Sequence, residues 1–517
     1  MTTLESEARR RGIETSYLDV AGRRCEAKPE VLEAVLEAMG GYSVIESPAA
    51  SSSPPRAQTP PAGIRLWGVF LPLYALRSER SWGSGDFTDL GRLIRWAAGL
   101  GARFVGTLPL LASFLDEPFS PSPYTPVSRL FWNEFFIDPE GIPEFQPSPG
   151  TQGLLARLRK APLVDYREGM RLKRRVLEAL AADFFSGAAS RREAFEGFAK
   201  SRPRLDDYAR FRAGIEGREG DPAAIRYHLY VQWVADEQLA EAVRAGARDG
   251  TRLYLDFPLG VHPDGYDLWR FRDLFVENVS VGAPPDPFYA KGQNWGFPPL
   301  HPGRLHPGGL DYFRECLRHH LRHATLLRID HVMAFHRLFW IPNGFDAADG
   351  VYVRYPAEAF YDAVCEESRA SGAWIVGEDL GTVPPEVRPA LKARGLLRSH
   401  VLPFESDEFP EIPGECLAAL NTHDMPPFAA AYERPEEARE ALRRSLEGLA
   451  RSPASLLQIN LEDLWLEREP QNVPGTTDDV ANWRRKARYP IEEFTADAGV
   501  VSLLREIDAL RRLASKL

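Results

Sequence analysis

TLLRIDHVM, residues 325–333, is an apolar run broken by Arg328 and closed by Asp330 and His331. A run this short and this apolar reads as a strand covered on both faces, as in a parallel sheet, with its charged residues at the C-terminal edge. The same wording recurs on either side of it. Towards the N-terminus stand RLWGVFLPLYAL (65–76), ARFVGTLPLL (102–111) and TRLYLDFPLGV (251–261); towards the C-terminus stand AWIVGEDLG (373–381), SHVLPFES (399–406), CLAALNTHDM (416–425) and LLQINLEDL (456–464). Helical patterns such as FTDLGRLIRWAAGLG (87–101) lie between several of them. Eight such strands alternating with helices predict an α/β chain folded as a (β/α)8 TIM barrel, with helical insertion domains and a small N-terminal helical segment.

The rest of the chain divides around those strands. Residues 1–45 carry VLEAVLEAMGG, an amphipathic helix ended by a glycine pair, and residues 46–63, ESPAASSSPPRAQTPPAG, read as a linker. Residues 64–114 hold strands one and two. Residues 115–250 are rich in helix formers and predict a mostly helical insertion, because a structureless connection of that length is implausible in a compact fold. Residues 251–517 supply the remaining strands and include a second insertion, 262–312, whose Gly, Pro and aromatic content suits a binding loop.

Bulk properties narrow the function. At 517 residues, 44% hydrophobic and 26% charged, the composition is that of a globular protein. A net charge of -10 argues against a nucleic-acid partner, which needs a concentrated basic face. There is no signal-like N-terminal segment and no run of roughly 20 apolar residues, so no membrane is expected and cytoplasmic residence is the default. Cys25, Cys316, Cys365 and Cys416 are scattered singly and predict reduced thiols. No phosphate-loop or dinucleotide motif is present, and the expectation is an enzyme without cofactors. Oligomeric state is left open.

In a barrel of this kind the side chains that close the strands gather at one mouth. Asp256, Arg328 with Asp330, Glu378, and His423 with Asp424 all end apolar runs. Several carboxylates facing one cleft repel, so one stays ionised while another keeps a proton. Glycoside cleavage with retention needs that split, with two carboxyl groups about 5–5.5 Å apart. Arg328 lies two residues before Asp330 on the same side of the strand, which predicts an ionised Asp330 and makes it the better nucleophile. Glu378 leaves an apolar wall, which predicts a raised pKa suited to a general acid, and Asp424 remains as a third acid to hold sugar hydroxyls.

Specific wording adds to this. SWGSGDFTDL, SPSPYTPVSRLFWNEFFID, PPDPFYAKGQNWGFP, LLRIDHVMAFHRLFWIP, WIVGEDLGTVPPEV, LNTHDM and NVPGTTDDVANWRRK, in that order, resemble the successive blocks of the 4-α-glucanotransferase (amylomaltase) family, and the N-terminal GIETSYLDVAGRRCEAKPEVLEAVLEAMG resembles its first segment. The resemblance implies Asp330 as nucleophile, Glu378 as acid/base and Asp424 as transition-state stabiliser. It also implies Asp256, Arg328 and His423 as flanking sugar- and carboxylate-binding residues, Tyr124 stacking on the sugar, and Trp295 lining the acceptor side. Donor and acceptor would both be α-glucans. The chain departs from the family wording at Ala334, at Met425-Pro426-Pro427 and in LGVHPDGYDLW, positions that bear on sugar subsites. The rival readings are an α-amylase-like hydrolase using the same acids, and a glucan-binding protein with a degenerate site.

Two other features carry weaker signals. His319, His320 and His323 could place imidazoles on one helix turn as metal ligands, but the segment precedes the fourth strand and faces away from the cleft, so no metal is expected. RLKRR, residues 171–175, reads as a solvated helix face.

Overall fold

A computed structural model describes residues 3–19, 22–41, 54–115, 117–147, 151–187, 191–248, 250–286, 289–305, 309–402, 412–476 and 480–514. Part of the expected linker, residues 46–53, and the last half of SHVLPFES lie outside the described residues. Eight parallel strands close into a barrel in chain order: β1 (Leu66–Phe70), β2 (Phe104–Gly106), β3 (Arg252–Phe257), β4 (Leu326–Ile329), β5 (Trp374–Gly377), β6 (Leu397–Val401), β7 (Cys416–Ala419) and β8 (Leu456–Asn460). The ring is sealed where β8 pairs with β1, Leu456 opposite Leu66 and Asn460 opposite Phe70. The architecture is the expected (β/α)8 barrel.

Alternation along each strand sorts the apolar residues into two layers. Phe104, Tyr254, Leu326, Trp374, Val376, Leu397, Leu417, Ala419 and Leu456 pack together inside the barrel. Val69, Val105, Leu255, Leu327, Ile329 and Ile375 face outward into the layer shared with the helices. Large rings in the lumen need small neighbours. A Cβ on Gly68 of β1 would come within 2.2 Å of the Phe104 carbonyl oxygen and 2.5 Å of its ring, and one on Gly106 would come within 2.8 Å of the Tyr254 ring.

The segment between β2 and β3 carries the helices Gln152–Lys160, Tyr166–Ser186, Arg192–Lys200, Leu205–Ile215 and Pro222–Ala247. The last starts with Asp221, whose side chain accepts the Ala223 amide, followed by Pro222 at the first helical position. It packs against Phe87–Gly99, where Gly91 allows close approach: a Cβ there would sit 3.3 Å from the Ala242 Cα.

The reading of RLKRR as a solvated face holds for Arg171 and Arg175, which are exposed, but not for Lys173. Lys173 is fully buried and donates to the Phe135 and Ile137 carbonyls at 2.5 and 2.8 Å, because it lies on the face of the helix Tyr166–Ser186 that packs against the turn Glu134–Phe136. The histidines of RHHLRH are buried too. His319 packs on Trp132 with ring centroids 3.9 Å apart, His320 Nδ1 lies 2.8 Å from the Cys316 carbonyl, and His323 Nε2 lies 3.0 Å from Asp236.

A second, antiparallel sheet stands outside the barrel. Its strand order is Val351–Arg354, Arg337–Pro342, Val279–Ala283 and Gln293–Asn294, so it joins the connection after β3 to the connection after β4. The N-terminal segment docks on it. Glu14 accepts from Arg337 at 2.7 Å and Arg354 at 3.1 Å, and the Tyr17 ring meets Phe339 and Tyr352 edge-on. Among the described residues, no helix is long and apolar enough to cross a membrane.

Candidate active site

The lumen-facing series continue beyond the apolar layer into charged side chains. Leu326 is followed on its own face by Arg328 and Asp330, Trp374 and Val376 by Glu378, and Tyr254 by Asp256. The register places Arg328 directly beside Asp256 across the β3–β4 pair. Its Nη1 lies 2.7 Å from both Asp256 oxygens and 3.0 Å from Asp330 Oδ1, while Nη2 lies 4.0 Å from Glu378 Oε2. One guanidinium therefore stands among three carboxylates delivered by three adjacent strands.

Backbone amides complete the setting of Glu378. The His331 N–H donates to Oε2 at 2.8 Å and the Leu380 N–H to Oε1 at 2.9 Å. Burial nevertheless dominates and pushes the Glu378 carboxyl up to about 7, against the pull of Arg328. At Asp330 the pull of Arg328 expected from the sequence is present but is not the largest influence. Burial raises the carboxyl above the ordinary aspartate value, and the guanidinium, shared with Asp256, offsets only part of that. The spacing in the sequence disclosed the cation but not the desolvation around the carboxylate.

The other wall of the cleft comes from β7, the loop after β8, and the segment before β3. Asn421, the next lumen position after Ala419, is tied to the buried Asp463 by two hydrogen bonds of 3.0 and 2.9 Å. That bond anchors the turn carrying His423 and Asp424. His423 Nε2 is 3.1 Å from Asp424 Oδ2, and Asn472 Nδ2 donates to Asp424 Oδ1 at 2.6 Å. Burial opposes charge on both His423 and Asp424, but their pairing outweighs it: the imidazole sits above its ordinary pKa and the carboxyl below.

Tyr124 spans the site. Its hydroxyl donates to Asp256 Oδ2 at 2.7 Å, its ring stacks on His423 at 4.7 Å and 15°, and both rings lean on Trp483 at 5.6 and 5.9 Å. Burial, then the charge of Asp256, pushes the phenol well above its usual pKa, so it remains a donor. Trp295 stands beside the turn after β4, its ring edge-on to His331 at 5.3 Å.

All eight residues singled out in the sequence are thus linked through contacts around one mouth, Trp295 by way of His331. Asn472, Trp483, Asn421 and the amides of His331 and Leu380 were not singled out. Asn472 and Trp483 do stand within NVPGTTDDVANWRRK, whose order in the chain was a signal without an assignable contact. Among the described residues, no group of three or more His, Cys, Asp or Glu could hold a metal ion.

Comparison with known proteins agrees with this geometry. The sequence profile of a family described as 4-alpha-glucanotransferase matches residues 71–224 and 215–492. A 4-alpha-glucanotransferase of Mycobacterium tuberculosis is 34% identical over 88% of this chain and 74% of its own length, and one of Haemophilus influenzae is 31% identical over 89% and 81%. The crystal structure of amylomaltase from Corynebacterium glutamicum superposes with a TM-score of 0.84 at 25% identity, covering 98% of this chain and 99% of the other. Amylomaltase from Streptococcus agalactiae, solved in complex with acarbose, shares the fold with a TM-score of 0.72 at 20% identity over 87% and 99%. With its barrel, its cleft and its relatives in agreement over most of its length, the chain belongs to the 4-alpha-glucanotransferase family.

Proposed function

We propose that this enzyme transfers α-1,4-glucan segments between maltodextrins by a retaining double displacement, with Asp330 as nucleophile, Glu378 as acid/base and Asp424 as transition-state stabiliser. The observation that carries the reading is the environment of Glu378, a carboxyl raised to about 7 beside a guanidinium that also touches Asp330. Protonated Glu378 gives its proton to the departing oligosaccharide oxygen as Asp330 attacks the anomeric carbon. The C–O bond to the leaving chain breaks, and a β-linked glycosyl ester forms. Glu378, now a carboxylate, takes the proton from the 4-hydroxyl of a second glucan, which attacks the ester and releases Asp330.

Arg328 offsets the charge that passes between the two carboxyl groups during these steps. Asp424, held ionised by His423 and Asn472, is suited to accept hydrogen bonds from the ring hydroxyls and to favour the oxocarbenium-like transition state. Tyr124 offers an aromatic face to the apolar C–H surface of the sugar beside the scissile bond, and Trp295 does so on the acceptor side.

Incubation with maltotriose tests the reading. A ladder of longer maltodextrins together with glucose is the expected product. Reducing ends accumulating without elongation would identify a hydrolase instead.

A further inference from the structure

Among the described residues, four other than glycine hold a positive φ: Asn278, His331, Leu466 and Trp483. His331, at φ 47° and ψ 61°, is the one whose amide meets Glu378. This left-handed backbone is unfavourable for an L-residue with a side chain. It also has a geometric effect: the turn sends its own amide and the next one to two different oxygens of Glu378, one of the carboxylate and one of the backbone. Here the His331 N–H donates to Glu378 Oε2 at 2.8 Å and the Val332 N–H to the Glu378 carbonyl at 3.0 Å. The imidazole leaves in the other direction and meets the Trp295 ring edge-on at 5.3 Å.

We propose that His331 is a positioning residue with two separable parts. Its strained backbone clamps the Glu378 carboxyl, and its ring sets the Trp295 loop over the acceptor side, so that loop and acid/base move into place together. The inference rests on the reading of Glu378 as the acid/base. The ring has no acid–base task of its own in this scheme, consistent with burial pushing its pKa down to about 4. A nearby alternative is that the imidazole, not the backbone, governs Glu378.

Substitution separates the parts. His331→Gly keeps the left-handed backbone and removes the ring. It should leave the alkaline limb of the pH–kcat profile where the wild type has it, while the ratio of transfer to hydrolysis on maltotriose falls about fivefold, a size of effect expected for a lost side-chain contact. Trp295→Ala should show the same fall, and the double variant no further one. His331→Val, whose branched side chain rejects the left-handed region, should move the alkaline limb up by about one pH unit through loss of an amide bond to the carboxylate. An alkaline limb displaced in His331→Gly, or additive losses in the double variant, would overturn the proposal even if the valine variant fails to fold. Glu378→Gln serves as the separate control: full activity there would remove the acid/base reading itself, whereas an inactive control alongside an unshifted valine profile removes only the role of His331.

Discussion

Two carboxyl groups raised by burial set the behaviour of the site at the scale of single residues. Glu378 cleaves the donor only while protonated, so this step is intact below about pH 7 and declines as pH rises through that value. Asp330 attacks only while ionised, and its pKa is raised, so activity is lost as pH falls through a value above the ordinary aspartate range. A bell-shaped kcat/KM profile with its alkaline limb near 7 is therefore expected, measured by glucose release from maltotriose across buffers of constant ionic strength. Asp330→Asn should lower kcat on the order of a thousandfold or more, with maltoheptaose binding by calorimetry retained. Retained turnover in that variant would assign the nucleophile elsewhere. The sequence made the identities of these acids legible, because each closes an apolar run. It also made the raised Glu378 legible, from the apolar wall before it, but not the rise at Asp330, where burial outweighs the pull of an Arg328 that the sequence did show.

At the scale of elements, the barrel was readable because every strand is covered on both faces and so stands out as a short apolar run. The sixth strand runs over Leu397–Val401 and so starts two residues before SHVLPFES, since Arg398 interrupts the apolar pattern. The outer sheet was not read at all. Its strands Val279–Ala283 and Arg337–Pro342 pair across a whole strand–helix unit, and nothing in either segment names the other. Lumen packing gives the element-scale prediction. Gly68→Ala drives a methyl into the backbone of β2 and should cost about 3 kcal/mol or more, read as a lowered urea midpoint, because the clashing atom is a ladder carbonyl that cannot turn aside. An alanine variant as stable as the parent would mean that β1 and β2 are not packed this closely.

The whole molecule shows how far from its strands the site draws support. The N-terminal segment rests on the outer sheet through Glu14 and Tyr17, and the Met39 carbonyl lies 3.0 Å from His301 Nε2. Deleting residues 1–41 should therefore lower the melting temperature by several degrees and raise the KM for acceptor glucans more than it lowers kcat, as steady-state kinetics with a fixed donor would reveal. Equal losses in both constants, or none, would detach this segment from the cleft.

The seam between β8 and β1 reaches further than barrel closure. Tyr124 precedes the third strand, and Asn472 and Trp483 follow the eighth, so no contiguous piece shorter than residues 124–483 holds the complete ring of contacts. Catalysis is then an all-or-nothing property that arrives last, since pairings so distant in sequence form slowly. During refolding from urea, tryptophan fluorescence should recover ahead of maltotriose turnover, and a chain still being synthesised would have no power over the glucan around it until its final strand had been made.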